Sequence, residues 1–352
     1  MKNWQKNIRN IEPYVPGEQP QNQNVIKLNT NENPYPPSPK AVEALKELNT
    51  NTLRKYPSFV CHELKSALMA NYNVKENEIF LGNGSDEVLA LCFMTFFNSD
   101  KPVLFPDVTY SFYPVWCDLY NIPFEKLPLD ENFKINKQDY YKENGGIVIA
   151  NPNAPTGIYM ELSEIEDIIK HNSDVIVIVD EAYIDFGGKS AVDLIHKYDN
   201  LVVVQTYSKS RNLAGMRVGY GMMQTELWQA IEAVKNSFNS YTLNTASQVM
   251  AAASALDKEY FNTCCKNIME TRAYTVESLD KLGFKTLPSS ANFIFSTHPN
   301  YSGAEIFEYL KSKNIFVRYF NKPRINNYLR ISIGTREEMQ ALVEALKKLI
   351  NQ

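Results

Sequence analysis

Ser208, Lys209 and Arg217 fall in one short stretch, Val203-Val-Gln-Thr-Tyr-Ser-Lys-Ser-Arg-Asn-Leu-Ala-Gly-Met-Arg-Val-Gly-Tyr220. A hydroxyl and a forked guanidinium together suit a phosphate. A partly desolvated lysine beside a phosphate site is the arrangement that makes a Schiff-base nucleophile. A lone lysine on a loop is more often a solvated surface group. Here the apolar run Leu201–Val204 precedes the lysine and a second apolar run begins at Val218, so Lys209 is expected just past a buried strand.

The elements that must position these groups alternate along the chain. Strands are expected at Ile79–Leu81, Pro102–Phe105, Phe124–Leu127, Gly146–Ala150, Val175–Val179, Leu201–Gln205 and Val218–Met222. Helices are expected after Gly82-Asn-Gly-Ser-Asp-Glu87, over Tyr110–Tyr120 and over Ser163–His171. Val175–Val179 is apolar on both faces, as a central parallel strand is. This order predicts an α/β large domain with a mostly parallel sheet flanked by helices, over 38–240. Beyond Thr225 helical periodicity runs to about Leu282, read as two helices around Tyr241-Thr-Leu-Asn. Short strands and helices follow, which predicts a smaller α+β domain over 241–352. Residues 1–37 are rich in Asn, Gln and Pro without periodicity and read as an extended N-terminal arm. Its Asn29-Thr-Asn-Glu-Asn33 cluster is expected to pack on something.

In an open parallel sheet, ligands sit beyond the carboxyl ends of the strands. Gly82–Asp86, Asn151–Gly157, Asp180–Tyr183 and Ser208–Lys209 all lie there. Any one of them is an ordinary turn, but together they point to a shared site. Pyridoxal phosphate explains each residue type. The amides of Ser85 and Asp86 open a helix toward an anion, and Ser208 and Arg217 complete a phosphate cradle. A buried carboxylate, Asp180, keeps the ring nitrogen protonated. Tyr183 can reach the ring's 3-oxygen. Tyr110 either stacks on the ring or is a core aromatic. Lys209 carries the cofactor.

Composition excludes other classes. The chain has 352 residues and a formal charge of -4, with no basic stretch suited to nucleic acid or a membrane surface. No apolar run approaches the ~20 residues of a membrane span, and Met1-Lys-Asn-Trp-Gln-Lys lacks the core of a signal peptide. Five cysteines without a CxxC pair fit a reducing cytoplasm. Four isolated histidines give no metal site.

Three segments resemble fold type I aminotransferases over nearly the whole chain: Ser208-Lys209 with Leu213-Ala-Gly-Met-Arg217, Asp180-Glu-Ala-Tyr183, and Asn151-Pro-Asn-Ala-Pro-Thr-Gly157. Within that group the arm resembles histidinol-phosphate aminotransferases, through Pro13-Tyr-Val-Pro-Gly-Glu-Gln-Pro20, Leu28-Asn-Thr-Asn-Glu-Asn-Pro34 and Arg54-Lys-Tyr-Pro57. Leu329-Arg-Ile-Ser-Ile-Gly-Thr335, with Arg318 upstream, is similar too.

The resemblance implies a homodimer that transfers an amino group from L-histidinol phosphate to 2-oxoglutarate, giving imidazole acetol phosphate and glutamate, in histidine biosynthesis. It implies that Lys209 is both Schiff-base lysine and acid–base group, with Asp180 on the ring nitrogen and Tyr183 on the 3-oxygen. Tyr56 would reach the cofactor phosphate from the partner subunit, and Tyr14 would come from the partner's arm to contact substrate. Arg318 and Arg330 would bind substrate anions. For Arg318 a surface ion pair competes with that role. For Arg330, inside an apolar strand, burial without an anion would be costly. One departure stands out. Relatives carry Asn directly before Pro-Thr-Gly, where it bonds the 3-oxygen, and here that position is Ala154. Asn153 is the expected substitute. An aromatic amino-acid aminotransferase and a phosphothreonine-type decarboxylase are alternatives on the same scaffold. A non-catalytic binding protein is another, but a mere phosphate binder needs neither Lys209 nor Asp180.

Overall fold

A computed structural model describes residues 2–20 and 24–351. In chain order the elements are β1 (Ile26–Leu28), α1 (Pro39–Lys46), α2 (His62–Met69), β2 (Ile79–Gly82), α3 (Ser85–Phe96), β3 (Val103–Pro106), α4 (Phe112–Tyr120) and β4 (Phe124–Leu127). Then come β5 (Gly146–Ala150), α5 (Leu162–His171), β6 (Val177–Asp180), β7 (Leu201–Thr206), β8 (Gly219–Met222), α6 (Thr225–Phe238), α7 (Thr245–Leu256) and α8 (Lys258–Asp280). The chain closes with β9 (Lys285–Thr286), β10 (Phe293–Thr297), α9 (Gly303–Ser312), β11 (Ile315–Tyr319), β12 (Leu329–Ser332) and α10 (Arg336–Ile350).

The larger sheet has seven strands in the order β2-β8-β7-β6-β5-β3-β4. Only β8 runs antiparallel to its neighbours, so the other six point the same way. Side chains of a strand alternate between faces, and the alternation builds two cores. Val177, Val179 and Val203 join one apolar cluster, while Ile178, Val202 and Val204 join the cluster on the other face. Both faces are covered, which explains why these strands read as unbroken apolar runs.

The second sheet is β1-β11-β12-β10-β9. It packs on α9 and α10, where Ile306, Leu310, Met339, Leu342 and Leu346 are buried at helical spacing. Each helix starts with a capping box: Ser302 with Glu305, and Thr335 with Glu338. Strand β1 was not anticipated. It holds a polar Lys27 and gains its order from parallel pairing with β11, Ile26 opposite Ile315. The helical region after Thr225 holds three helices rather than two. The additional break falls at Asp257, whose carboxylate accepts from Ser38 Oγ at 2.6 Å. Helix α7 lies past residue 240, yet its Met250, Ala251 and Ala255 share the apolar cluster of the seven-stranded layer. Among the described residues no helix is long and apolar enough to cross a membrane.

Candidate active site

The six parallel strands end on one edge of the sheet, and β8 starts back from that edge. Helix α3 opens there at Gly84, whose φ of +86° favours glycine. A Cβ on Gly84 would lie 2.3 Å from Arg217 Nη2, and one on Gly219 would lie 2.2 Å from the Ser85 amide nitrogen. Glycine at both positions lets β8 and Arg217 press against the positive end of α3. The Arg217 guanidinium donates to Asp86 Oδ2 at 3.0 Å and to Ser208 Oγ at 3.4 Å. Thr206 Oγ1 donates to Ser208 Oγ at 3.0 Å. Ser85, Asp86, Ser208 and Arg217 thus stand together in the lining of a cavity of about 400 Å³, an arrangement able to hold an anion.

Asp180, Tyr183, Lys209 and Tyr110 line the same cavity. Asp180 is buried at the end of β6, and burial pushes its pKa up to about 6. Hydrogen bonds from Tyr113 Oη at 2.8 Å and from the Ala182 amide at 3.2 Å offset part of that rise. Tyr110 donates to Asp86 Oδ1 at 2.8 Å and meets Tyr113 edge-on, 5.6 Å between centroids. Lys209 Nζ stands 5.7 Å over the Tyr183 ring and 3.4 Å from the Thr30 carbonyl oxygen.

The Asn29–Asn33 cluster turns out to be the hub of the site. Asn31 Nδ2 donates to Tyr183 Oη at 3.0 Å, and Asn33 Nδ2 donates to the Lys209 carbonyl at 2.8 Å. The Asn29 carbonyl accepts from Arg330 Nη2 at 3.1 Å. Sequence reasoning gave none of these residues a role, and Tyr113 was missed as well. The density of asparagine next to an extended segment was the available signal.

Arg318 and Arg330 face each other directly across β11 and β12. Like charges in that register repel, and among the described residues neither arginine pairs with an acid. Arg318 donates instead to the Val15 and Pro16 carbonyls, at 3.2 and 3.3 Å. The expected competitor, a surface ion pair, is therefore not what holds it. Among the described residues Arg330 Nε is buried without a hydrogen-bond partner, and burial together with Arg318 pushes the Arg330 pKa down against the opposing pull of Tyr183 and Tyr14. Both arginines line the cavity, as do Tyr14 and Arg217.

Two expectations, those for Asn153 and Tyr14, do not match this geometry, and that for Tyr56 concerns a partner subunit. Asn153 does not reach the cavity. Its Oδ1 accepts from Thr109 at 2.8 Å, and its Nδ2 donates to the Val108 carbonyl at 2.9 Å and to Thr156 at 3.0 Å, so the carboxamide is consumed in closing its own turn. Ala154 takes the place in the wall. Tyr14 reaches the cavity of its own chain, stacked on Phe112 at 4.2 Å. The arm is tied to its own small sheet by Arg318, by the Lys311–Glu18 ion pair and by Asn29 donating to the Glu18 carbonyl. Tyr56 lies outside this cavity, 80% exposed and stacked on Tyr241.

An amine and a buried carboxylate in one cavity with three arginines, at the strand ends of a mainly parallel sheet, suit a group-transfer enzyme. The chain belongs to the aminotransferase class I and II family, whose model matches residues 23–346. It is 51% identical over 351 residues to a histidinol-phosphate aminotransferase of Clostridium botulinum (strain Okra / Type B1), covering 100% of this chain and 99% of that protein. It is also 51% identical to one from Acinetobacter baumannii (strain AYE), covering 99% and 97%. The crystal structure of histidinol-phosphate aminotransferase from Sinorhizobium meliloti in complex with pyridoxal-5'-phosphate has a TM-score of 0.85 at 21% identity. The match covers 93% of this chain and 91% of that one, and it shows the shared fold.

Proposed function

We propose that this aminotransferase uses pyridoxal phosphate to move the amino group of L-histidinol phosphate to 2-oxoglutarate, yielding imidazole acetol phosphate and glutamate, a step of histidine biosynthesis. The observation that carries the reading is the arginine pair, Arg318 opposite Arg330, left without an acid among the described residues in the cavity that Lys209 also lines. The names of relatives at 51% identity support the substrate. The donor set also fits the cofactor. Arg217, Ser208 and the α3 amides match a phosphate, the buried Asp180 matches a ring nitrogen that must stay cationic, and Lys209 supplies the amine.

When bound there, pyridoxal phosphate supplies an aldehyde carbon and an electron-withdrawing ring. Arg217 and Ser208 bind its phosphate. Asp180 holds the proton on the ring nitrogen, and the cation opposite in turn draws the Asp180 carboxyl back to its ionised form. Tyr183 orients the ring through the 3-oxygen, with Tyr110 beside it. Lys209 Nζ would move the proton between the amine-bearing carbon of the substrate and the cofactor, in one direction in the first half-reaction and in the other in the second. Arg330 and Arg318 hold the phosphate of one substrate and the carboxylates of the other, since a planar fork suits both.

The working unit in this reading is a homodimer. Leu53, Tyr56, Phe59, Val60 and Tyr241 are all exposed, an apolar patch that a second copy would cover. Tyr56 would then reach the partner's cofactor phosphate. The test is a donor panel at fixed 2-oxoglutarate: histidinol phosphate, tyrosine, phenylalanine and O-phosphothreonine, with Lys209→Ala as the inactive control. The reading expects histidinol phosphate to dominate in kcat/KM by at least about tenfold, the ratio that 1.4 kcal/mol of differential binding gives. Preference for tyrosine, or carbon dioxide release from O-phosphothreonine, overturns it.

A further inference from the structure

Asn31 is 1% exposed, and the structure uses every polar atom it has. Its amide N–H donates to Ser332 Oγ at 2.8 Å. The Ser332 hydroxyl then spends its own proton on Asn31 Oδ1 at 3.1 Å. That bond fixes the carboxamide, with oxygen toward Ser332 and nitrogen toward Tyr183. The Asn31 carbonyl accepts from Asn292 Nδ2 at 3.0 Å, and the backbone sits at φ +55°, a region that asparagine tolerates better than most residues.

A carboxamide nitrogen only donates. Tyr183 Oη is therefore the acceptor of the 3.0 Å bond from Asn31 Nδ2, and its own proton must go elsewhere. Among the described residues no other group takes that proton, and Tyr183 lines the cavity. We infer that Asn31 is a positioning residue: through Ser332 and its own carboxamide it turns the Tyr183 hydroxyl proton into the cavity, toward the ring oxygen of the cofactor. The inference rests on the reading above, in which Tyr183 serves that oxygen.

The arrangement matters more here than in relatives that have asparagine before Pro-Thr-Gly. Ala154 brings no donor to that place, and the Asn153 carboxamide is engaged with Thr109, Val108 and Thr156. Tyr183 is then the donor left for the ring oxygen, and a phenol free to rotate would spend part of its time pointing away.

A donor on the ring oxygen favours its anionic form, so it lowers the pH at which the lysine-bound cofactor takes up a proton. That midpoint is read from the visible absorbance of the holoenzyme, independently of turnover. Tyr183→Phe should raise it by about one pH unit. Asn31→Gly keeps the left-handed backbone and removes the amide; it should raise the midpoint by about half as much and do nothing further in a Tyr183→Phe background. Ser332→Ala, which unlocks the carboxamide without touching φ, should move it in the same direction. An unmoved midpoint in both Asn31→Gly and Ser332→Ala overturns the inference. So does a shift of equal size in the Tyr183→Phe background, which would mark a merely structural role. If Tyr183→Phe itself moves nothing, the assignment of Tyr183 to the ring oxygen fails, and the inference falls with it.

Discussion

Arg217 and Arg330 line one cavity, and the sequence places them differently. Arg217 follows a tight turn with φ +55° and meets an acid, Asp86, at 3.0 Å. Arg330 lies inside β12 with Arg318 across from it, and among the described residues no carboxylate answers either. The first arrangement is held by backbone geometry and a glycine-lined approach, and its charge is already balanced. The second holds two like charges in register. A group that stays bound can be met by a settled site, whereas substrates that must enter and leave are better met by an unsatisfied one.

Substitution separates the two arginines. Arg330→Ala should lower kcat/KM for both substrates by about 10²–10³-fold, because a desolvated anion loses its cation, while the bound cofactor's absorbance stays intact. Arg217→Ala should raise the cofactor dissociation constant about 10- to 100-fold, the loss of hydrogen bonds to a charged group, with kcat near wild type at saturating cofactor. Both effects appearing in the same parameter would break the distinction.

The smallest effect concerns the cofactor-free protein. Burial pushes Asp180 up to about 6 and the neighbouring Glu181 up to about 7. Unfolded carboxyls ionise near pH 4, so between about 4 and about 7 the folded chain binds more protons than the unfolded one. These two groups therefore make stability fall as pH rises through that window and level off above it. Thermal melts of Asp180→Asn and Glu181→Gln should show a flatter pH profile than wild type, and addition of pyridoxal phosphate should flatten the Asp180 part alone.

The seven-stranded layer was legible because its strands are apolar on both faces and end in polar turns. Lys209, Asp180 and Ser208 could be grouped from that pattern, and the structure brings them together. The arm was not legible in the same way. Strand β1 is short and carries Lys27, so nothing local marks it, and it takes shape only against β11. Asn31 works through bonds to residues far along the chain, which no window of sequence displays. Asn153 misled because a carboxamide that closes a turn and one that faces a ligand look alike in sequence. The chain that Tyr14 serves depended on where the arm is tethered, and that follows from Arg318, Lys311 and Asn29 together.

The bond from Asn31 to Ser332 spans 301 positions of the chain. A ribosome adding roughly 5–20 residues per second needs about 15–60 s to cover that distance. Over roughly the last third of that interval, once Met222 has been made, the seven-stranded layer has all its strands, while the earliest-made part of the catalytic pocket still waits for the last. A nascent or prematurely terminated chain would therefore present a well-formed sheet with an unfinished pocket, and competence would be conferred only at the close of synthesis.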